Sequence, residues 1–180
     1  MNIQELDIPG CYLIELPHFK DERGEFVKTF NNTVLKGTPL GDFDLQEEFY
    51  SVSRRNVLRG LHFQAPPAAH NKLVYCIQGE VLDFFLDIRK DSPTYGKYFS
   101  LRLTSEKPEL LFLPKGLAHG FLTVSESAIL VYKTDHVYVP ESDTGIHWSS
   151  IGLDIAQKEL IISDRDKSFP TLEDYKSQFK

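Results

Sequence analysis

Two histidines sit where chemistry could be done. His62 lies in Arg59-Gly60-Leu61-His62-Phe63-Gln64, at the end of an apolar run. His119 lies in Pro114-Lys115-Gly116-Leu117-Ala118-His119-Gly120, between two such runs. Imidazole has the ordinary side-chain pKa closest to neutrality, so a histidine in a cleft can take and return protons. A lone histidine beside an apolar segment is more often a hydrogen-bonded structural residue. Two of them, each next to glycine that lets backbone approach closely, point to a shared site. Arg59 is set inside an apolar run beside His62, Lys72 opens the next one, and Arg23 lies near the start. Cations so placed suit phosphate binding or stabilisation of an oxyanion. The alternative for each is an ordinary solvated charge.

Pro114-x-Gly116-x-x-His119 matches the signature of the cupin barrels, many of which hold a metal. A metal-binding cupin usually supplies a His-x-His pair followed by an acid. Here the stretch reads His62-Phe63-Gln64, no such acid follows, and Lys72 stands in that region. A cation beside a metal is repelled, and glutamine is a weak ligand. No metal is therefore expected. Cys11 and Cys76 are far apart without Cys-x-x-Cys spacing and read as packed free thiols.

Strands must position these groups. The runs 11–16, 25–30, 57–63, 72–77, 80–88, 98–103, 109–113 and 128–133 are short and rich in β-branched and aromatic residues. In 80–88, Leu82, Phe84, Leu86 and Ile88 make one apolar face, while Val81, Asp83, Phe85 and Asp87 make a mixed face that suits a pocket. Gln78-Gly79 reads as a tight hairpin, and Pro114-Lys115-Gly116 as a turn. The stretch 64–71, with two prolines, reads as a loop, and short helices are expected at 31–35 and 172–179. Strict alternation would put Arg59 and His62 on opposite faces, and a β-bulge at Gly60 would turn both inward. The absence of strand–helix alternation argues for an all-β sandwich or barrel.

The totals fit one domain over residues 1–180, long enough for a real core. A formal net charge of -6 argues against nucleic acid as a partner. No apolar run approaches the ~20 residues that span a bilayer, and the acidic start MNIQELDIPG lacks the form of a signal peptide. No membrane association and a cytoplasmic location are expected.

Seven segments together resemble one known family. They are Asp21-Glu22-Arg23-Gly24, the run 59–64, Lys72-Leu73-Val74, Asp87 to Gly96, Gly116 to Phe121, Tyr132-Lys133-Thr134, and Ser163-Asp164-Arg165-Asp166. In this order they resemble the dTDP-4-dehydrorhamnose 3,5-epimerases. Any one alone would be weak; in register over most of the chain they are specific. The resemblance implies an all-β, cupin-like jelly-roll barrel with a few short helices. It also implies a homodimer, no metal, no other cofactor, and a nucleotide-diphosphate 4-keto-6-deoxyhexose as substrate.

By motif position, His62 matches the base, Asp166 the carboxylate that orients it, and Tyr132 the acid on the opposite face. Lys72 matches the cation beside the enolate oxygen and Arg59 a diphosphate contact, and His119 lines the pocket. Arg23, Phe19, Tyr138, Lys28 and Glu47 are the further substrate-binding candidates. The chemistry needs these types: a base near neutrality, a cation for the enolate, and a second acid on the other face. No redox step occurs, and no Gly-x-Gly-x-x-Gly fingerprint is present. Asp83, expected to point inward, is an alternative partner for His119, and Asp164 an alternative to Asp166. The chain departs from the family at Glu47-Glu48-Phe49-Tyr50, where a Gln-Asp-Asn-like stretch is common, and at Lys28, where Glu is common. These changes fit either an altered nucleotide base, for example cytosine, or exposed charges without a role. Inversion at one carbon only, or on another nucleotide sugar, stays open. A metal-dependent cupin and a non-catalytic sugar-nucleotide binder are the other classes.

Overall fold

A computed structural model describes residues 2–156 and 159–180. In chain order the strands are β1 (Ile3–Glu5), β2 (Tyr12–Glu15), β3 (His18–Asp21), β4 (Gly24–Val27), β5 (Glu47–Arg54), β6 (Leu58–Gln64), β7 (Lys72–Gln78), β8 (Glu80–Asp87), β9 (Tyr98–Thr104), β10 (Glu109–Leu113), β11 (Leu117–Thr123), β12 (Ser127–Thr134) and β13 (Asp143–Gly145). The helices are single turns: α1 (Asn32–Leu35), α2 (Asp164–Lys167) and a 3-10 turn at Trp148–Ile151.

Two antiparallel sheets face each other as a cupin-like jelly roll. One runs β1-β2-β10-β7-β12-β5, the other β13-β6-β11-β8-β9, and β3-β4 forms a separate hairpin. Residues from both sheets meet in the interior: Val74 and Cys76, Val81 and Phe85, Leu111 and Leu113, Phe121, Leu130 and Tyr132. Both outer faces are also covered. Phe84, Leu86 and Ile88 pack with Phe63, Ile146 and Phe179. Leu73, Tyr75 and Val131 pack under Leu35, Leu40 and Phe43. The two faces expected for 80–88 are therefore real, one turned inward and one outward. Burial on both faces explains why β11 is continuously apolar apart from His119 and Thr123.

Three expectations need correction. Gln78-Gly79 is a tight turn, with Gly79 at φ +77°, but no hairpin: β7 and β8 lie in different sheets, so the turn passes the chain from one wall to the other. Residues 172–179 form a turn and an irregular tail instead of a helix. Their hydrogen bonds go to the barrel: Ser177 Oγ donates to the Ile88 carbonyl, and Phe179 O accepts from Lys90 N. Tyr175 and Phe179 pack edge-on to Phe63, and that burial outweighs the few bonds a short helix would make. Residues 47–54 and 117–123, not expected as strands, form β5 at the edge of the larger sheet and β11 within the smaller one, so His119 lies on a strand and not between two. Among the described residues, no helix is long and apolar enough to cross a membrane.

Candidate active site

The mouth of the barrel holds a cavity of about 330 Å³, and both sheets wall it. β6 contributes Arg59, His62 and Gln64, and β11 contributes His119; facing them are Lys72 on β7, Tyr132 on β12, and Glu47, Phe49 and Ser51 on β5.

Arg59 and His62 share the cavity because the β6–β11 ladder carries one extra residue. His62 pairs with His119 and Arg59 with Phe121, so three steps on β6 match two on β11. This is the bulge expected at Gly60. Only glycine fits there: φ is +117°, and a Cβ would stand 2.5 Å from Gly120 Cα and 2.7 Å from the His119 carbonyl.

His62 Nε2 lies 2.9 Å from Asp166 Oδ1, and Asp166 Oδ2 accepts from Gly60 N at 2.9 Å. One buried carboxylate thus ties the imidazole to the bulge. Asp166 sits in α2, whose cap is Ser163: its hydroxyl accepts from Asp166 N at 3.1 Å. Burial alone would push the Asp166 carboxyl up, but the His62 hydrogen bond and charge, with the Gly60 N–H, hold it below the usual carboxylate value. An ionised carboxylate only accepts, so Nε2 carries the hydrogen and the Nδ1 lone pair is left for the cavity.

His119 has its own acid. Its Nε2 lies 2.8 Å from Asp83 Oδ2, and both groups are buried. Burial pushes Asp83 up, against the opposing charge of His119. Asp83 therefore serves His119 and Asp166 serves His62. Asp164, paired with Lys167 at the surface, serves neither.

Lys72 Nζ donates to the His62 carbonyl at 3.0 Å. Burial pushes its ammonium down to about 8, against the pull of Asp143 and Asp83. Burial likewise raises the Tyr132 hydroxyl above the ordinary tyrosine value, so the phenol keeps its proton. Its hydrogen-bond contact is a long one, to Ser51 Oγ at 3.5 Å. Arg59 is exposed toward the cavity, with Nε donating to Ser53 Oγ at 3.0 Å.

Tyr138 and Glu47 lie together at the rim, where the Glu47 carboxylate accepts from Tyr138 N at 2.7 Å. The remaining candidates do not reach this cavity. Phe19 and Arg23 belong to the β3–β4 hairpin, with Arg23 paired to Asp21 in its turn, and Lys28 follows it. The sequence reading missed Phe49, Ser51, His70, Asp143 and Arg165 as cavity residues. Phe49, through its unusual stretch, and Arg165, within the segment Ser163-Asp164-Arg165-Asp166, gave a signal. Gln64, read as a poor ligand, anchors the loop instead: its amide donates to the Ala68 carbonyl at 2.9 Å. Among the described residues, no three His, Cys, Asp or Glu side chains are grouped to hold a metal.

The sequence model of the dTDP-4-dehydrorhamnose 3,5-epimerases matches residues 5–174. The chain belongs to this family. It is an isomerase of the epimerase type. A dTDP-4-dehydrorhamnose 3,5-epimerase of Shigella flexneri is 40% identical over 168 residues, covering 92% of this chain and 93% of that protein. The crystal structure of the epimerase RmlC from Legionella pneumophila Philadelphia 1, in complex with dTDP-4-keto-L-rhamnose, superposes with a TM-score of 0.91 at 34% identity, covering 96% of this chain and 93% of that one. ChmJ, a 3'-monoepimerase from Streptomyces bikiniensis in complex with dTDP-quinovose, matches with a TM-score of 0.86 at 30% identity, covering 93% and 86%. The same fold is thus found in a 3,5-epimerase and in a 3'-monoepimerase.

Proposed function

We propose that the chain inverts C3 and C5 of dTDP-4-dehydro-6-deoxyglucose, giving dTDP-4-dehydrorhamnose, by proton transfer through an enolate without metal or other cofactor. The observation that carries this reading is the placement of His62 and Tyr132 on opposing sheets across one cavity. A single base returns a proton to the face it came from; inversion needs a donor on the other side.

The C4 ketone acidifies the hydrogens on C3 and C5. His62 Nδ1 takes one; the electron pair of the broken C–H bond becomes the new C=C bond, and the π pair of the C4 carbonyl moves onto O4. The Lys72 ammonium stabilises that oxyanion. Tyr132 gives its O–H proton to the same carbon from the opposite face: the C=C pair forms the new C–H bond as the pair on O4 re-forms the carbonyl. Imidazolium then loses a proton to solvent and the phenolate gains one, so the cycle balances and repeats at the second carbon. Nothing is oxidised or reduced overall. Arg59 holds the diphosphate, His119 lines the sugar pocket, and Tyr138 and Glu47 sit at the nucleotide end.

The active form is proposed as a homodimer of this single 1–180 domain. Phe19, Arg23 and Lys28 lie outside the cavity of His62 and Tyr132, and Phe19 and Phe26 stand exposed side by side, 6.2 Å between rings. The outer strand β5 also exposes Tyr50 and Val52. A second copy would cover these surfaces and bring the hairpin to substrate.

Proton NMR in D₂O with dTDP-4-keto-6-deoxyglucose tests the reading. Deuterium at C3 and C5 with conversion to the rhamno isomer is expected. Exchange and inversion at one carbon would instead make it a monoepimerase, like ChmJ. Turnover of the CDP sugar alone would move the base specificity to cytosine. No exchange with either would overturn the proposal.

A further inference from the structure

We propose that Phe49 is the positioning residue of the proton donor, its ring fixing the angle of Tyr132 and thereby setting how often an enolate is inverted and how often it is merely exchanged. This rests on the reading of Tyr132 as the acid. The two rings are directly opposed in the β5–β12 ladder and stack with centroids 4.8 Å apart and planes 13° apart. Among the described residues, the Tyr132 hydroxyl has only the long contact to Ser51 at 3.5 Å. The next ring, His119, lies edge-on at 6.1 Å and 66°. No strong hydrogen bond holds the phenol, so its direction is set by what packs on its face, and that is Phe49.

The strand that carries Phe49 is pinned by the two residues just before it. Glu48 is bonded to Lys133 on the other face of the sheet, and Glu47 accepts from Tyr138 N. An edge strand is otherwise free to shift. With these ties, residue 49 stays in register opposite Tyr132, and the size and planarity of its side chain decide whether the phenol stays aimed across the cavity.

An enolate in this site has two fates. His62 can return the proton on the original face, which leaves only solvent label behind. Tyr132 can deliver from the other face, which inverts. A misaimed phenol impairs the second path more than the first. The ratio of inversion to deuterium wash-in is measured within one bound complex, so it is insensitive to substrate affinity, which a mere lining residue would alter.

The test compares native enzyme with Phe49→Ala, Phe49→Leu, Phe49→Tyr and Tyr132→Phe by NMR in D₂O, each checked by thermal melting. In Phe49→Ala, inversion per exchange event is expected to fall about three- to tenfold. Phe49→Leu, which fills the space without a stacking face and guards against misfolding of the alanine variant, should lie between. Phe49→Tyr should restore the native ratio. Should Phe49→Ala and Phe49→Leu keep the native ratio, losing exchange and inversion together, the inference is overturned. Tyr132→Phe separates it from the parent reading. If that variant also keeps the ratio, Tyr132 is not the donor and both fail; if it lowers the ratio while the Phe49 variants do not, only the role of Phe49 fails.

Discussion

Lys72 holds the backbone of the base: its ammonium donates to the carbonyl of His62 at 3.0 Å. The cation proposed for the enolate oxygen and the imidazole proposed to make that enolate are thus fixed to one another before substrate arrives. Electrostatic stabilisation of this kind works because the charge is already in place and shielded from water.

The same burial predicts a pH limit. An unfolded lysine keeps its proton to about 10.5, whereas Lys72 in the fold releases it at about 8. Turnover should therefore fall as pH rises through about 8. Lys72→Arg, which stays charged, should lose that alkaline limb while running slower overall. Between those two values the unfolded chain binds more protons, so stability should rise with pH there; below about 8 the buried charge costs stability in full. Lys72→Met should melt higher than the native protein at pH 7, by about 1–3 kcal/mol, and be inactive. An alkaline limb that Lys72→Arg leaves in place would assign it to another group.

Asp166 should act only through His62. Loss of a general base costs ~10²–10⁴-fold in rate, and Asp166→Asn should approach that figure because the wrong tautomer is then favoured. The double variant Asp166→Asn/His62→Asn should be little worse than His62→Asn in kcat/KM, since members of one unit are non-additive. Additive losses would contradict the pairing seen at 2.9 Å.

Gly60 and Gly24 offer a controlled comparison. Both adopt φ +117°, but a Cβ on Gly24 meets nothing within 4 Å, whereas one on Gly60 meets the β11 backbone. Gly24→Ala should cost about 1 kcal/mol by urea unfolding, the conformational part alone. Gly60→Ala should cost at least ~2 kcal/mol more and lose activity as the bulge straightens. Equal losses would mean that the close approach to Gly120 is relaxed easily.

Exhaustive chelation should leave turnover unchanged, because Lys72 supplies the positive charge that a metal cupin would draw from its ion. Abolition by chelator with recovery on adding one divalent metal would overturn the cofactor-free mechanism.

The order of short apolar runs, the turn at Pro114-Lys115-Gly116 and the two faces of β8 were legible in the sequence, because strand periodicity and turn chemistry are local properties. The segments around His62, His119, Tyr132 and Asp166 were equally legible as a resemblance. Three-dimensional packing decided the rest. Which acid serves which histidine depends on contacts 104 residues apart for His62 with Asp166 and 36 apart for His119 with Asp83. The bulge at Gly60, allowed by the residue type, was realised only by the β11 backbone against it. The tail after Leu172 has helical spacing yet bonds to Ile88 and Lys90, because the barrel offers it partners that a peptide alone lacks. Phe49 stands over Tyr132 for the same reason: register between strands 83 residues apart is a property of the folded sheet, and no local pattern encodes it.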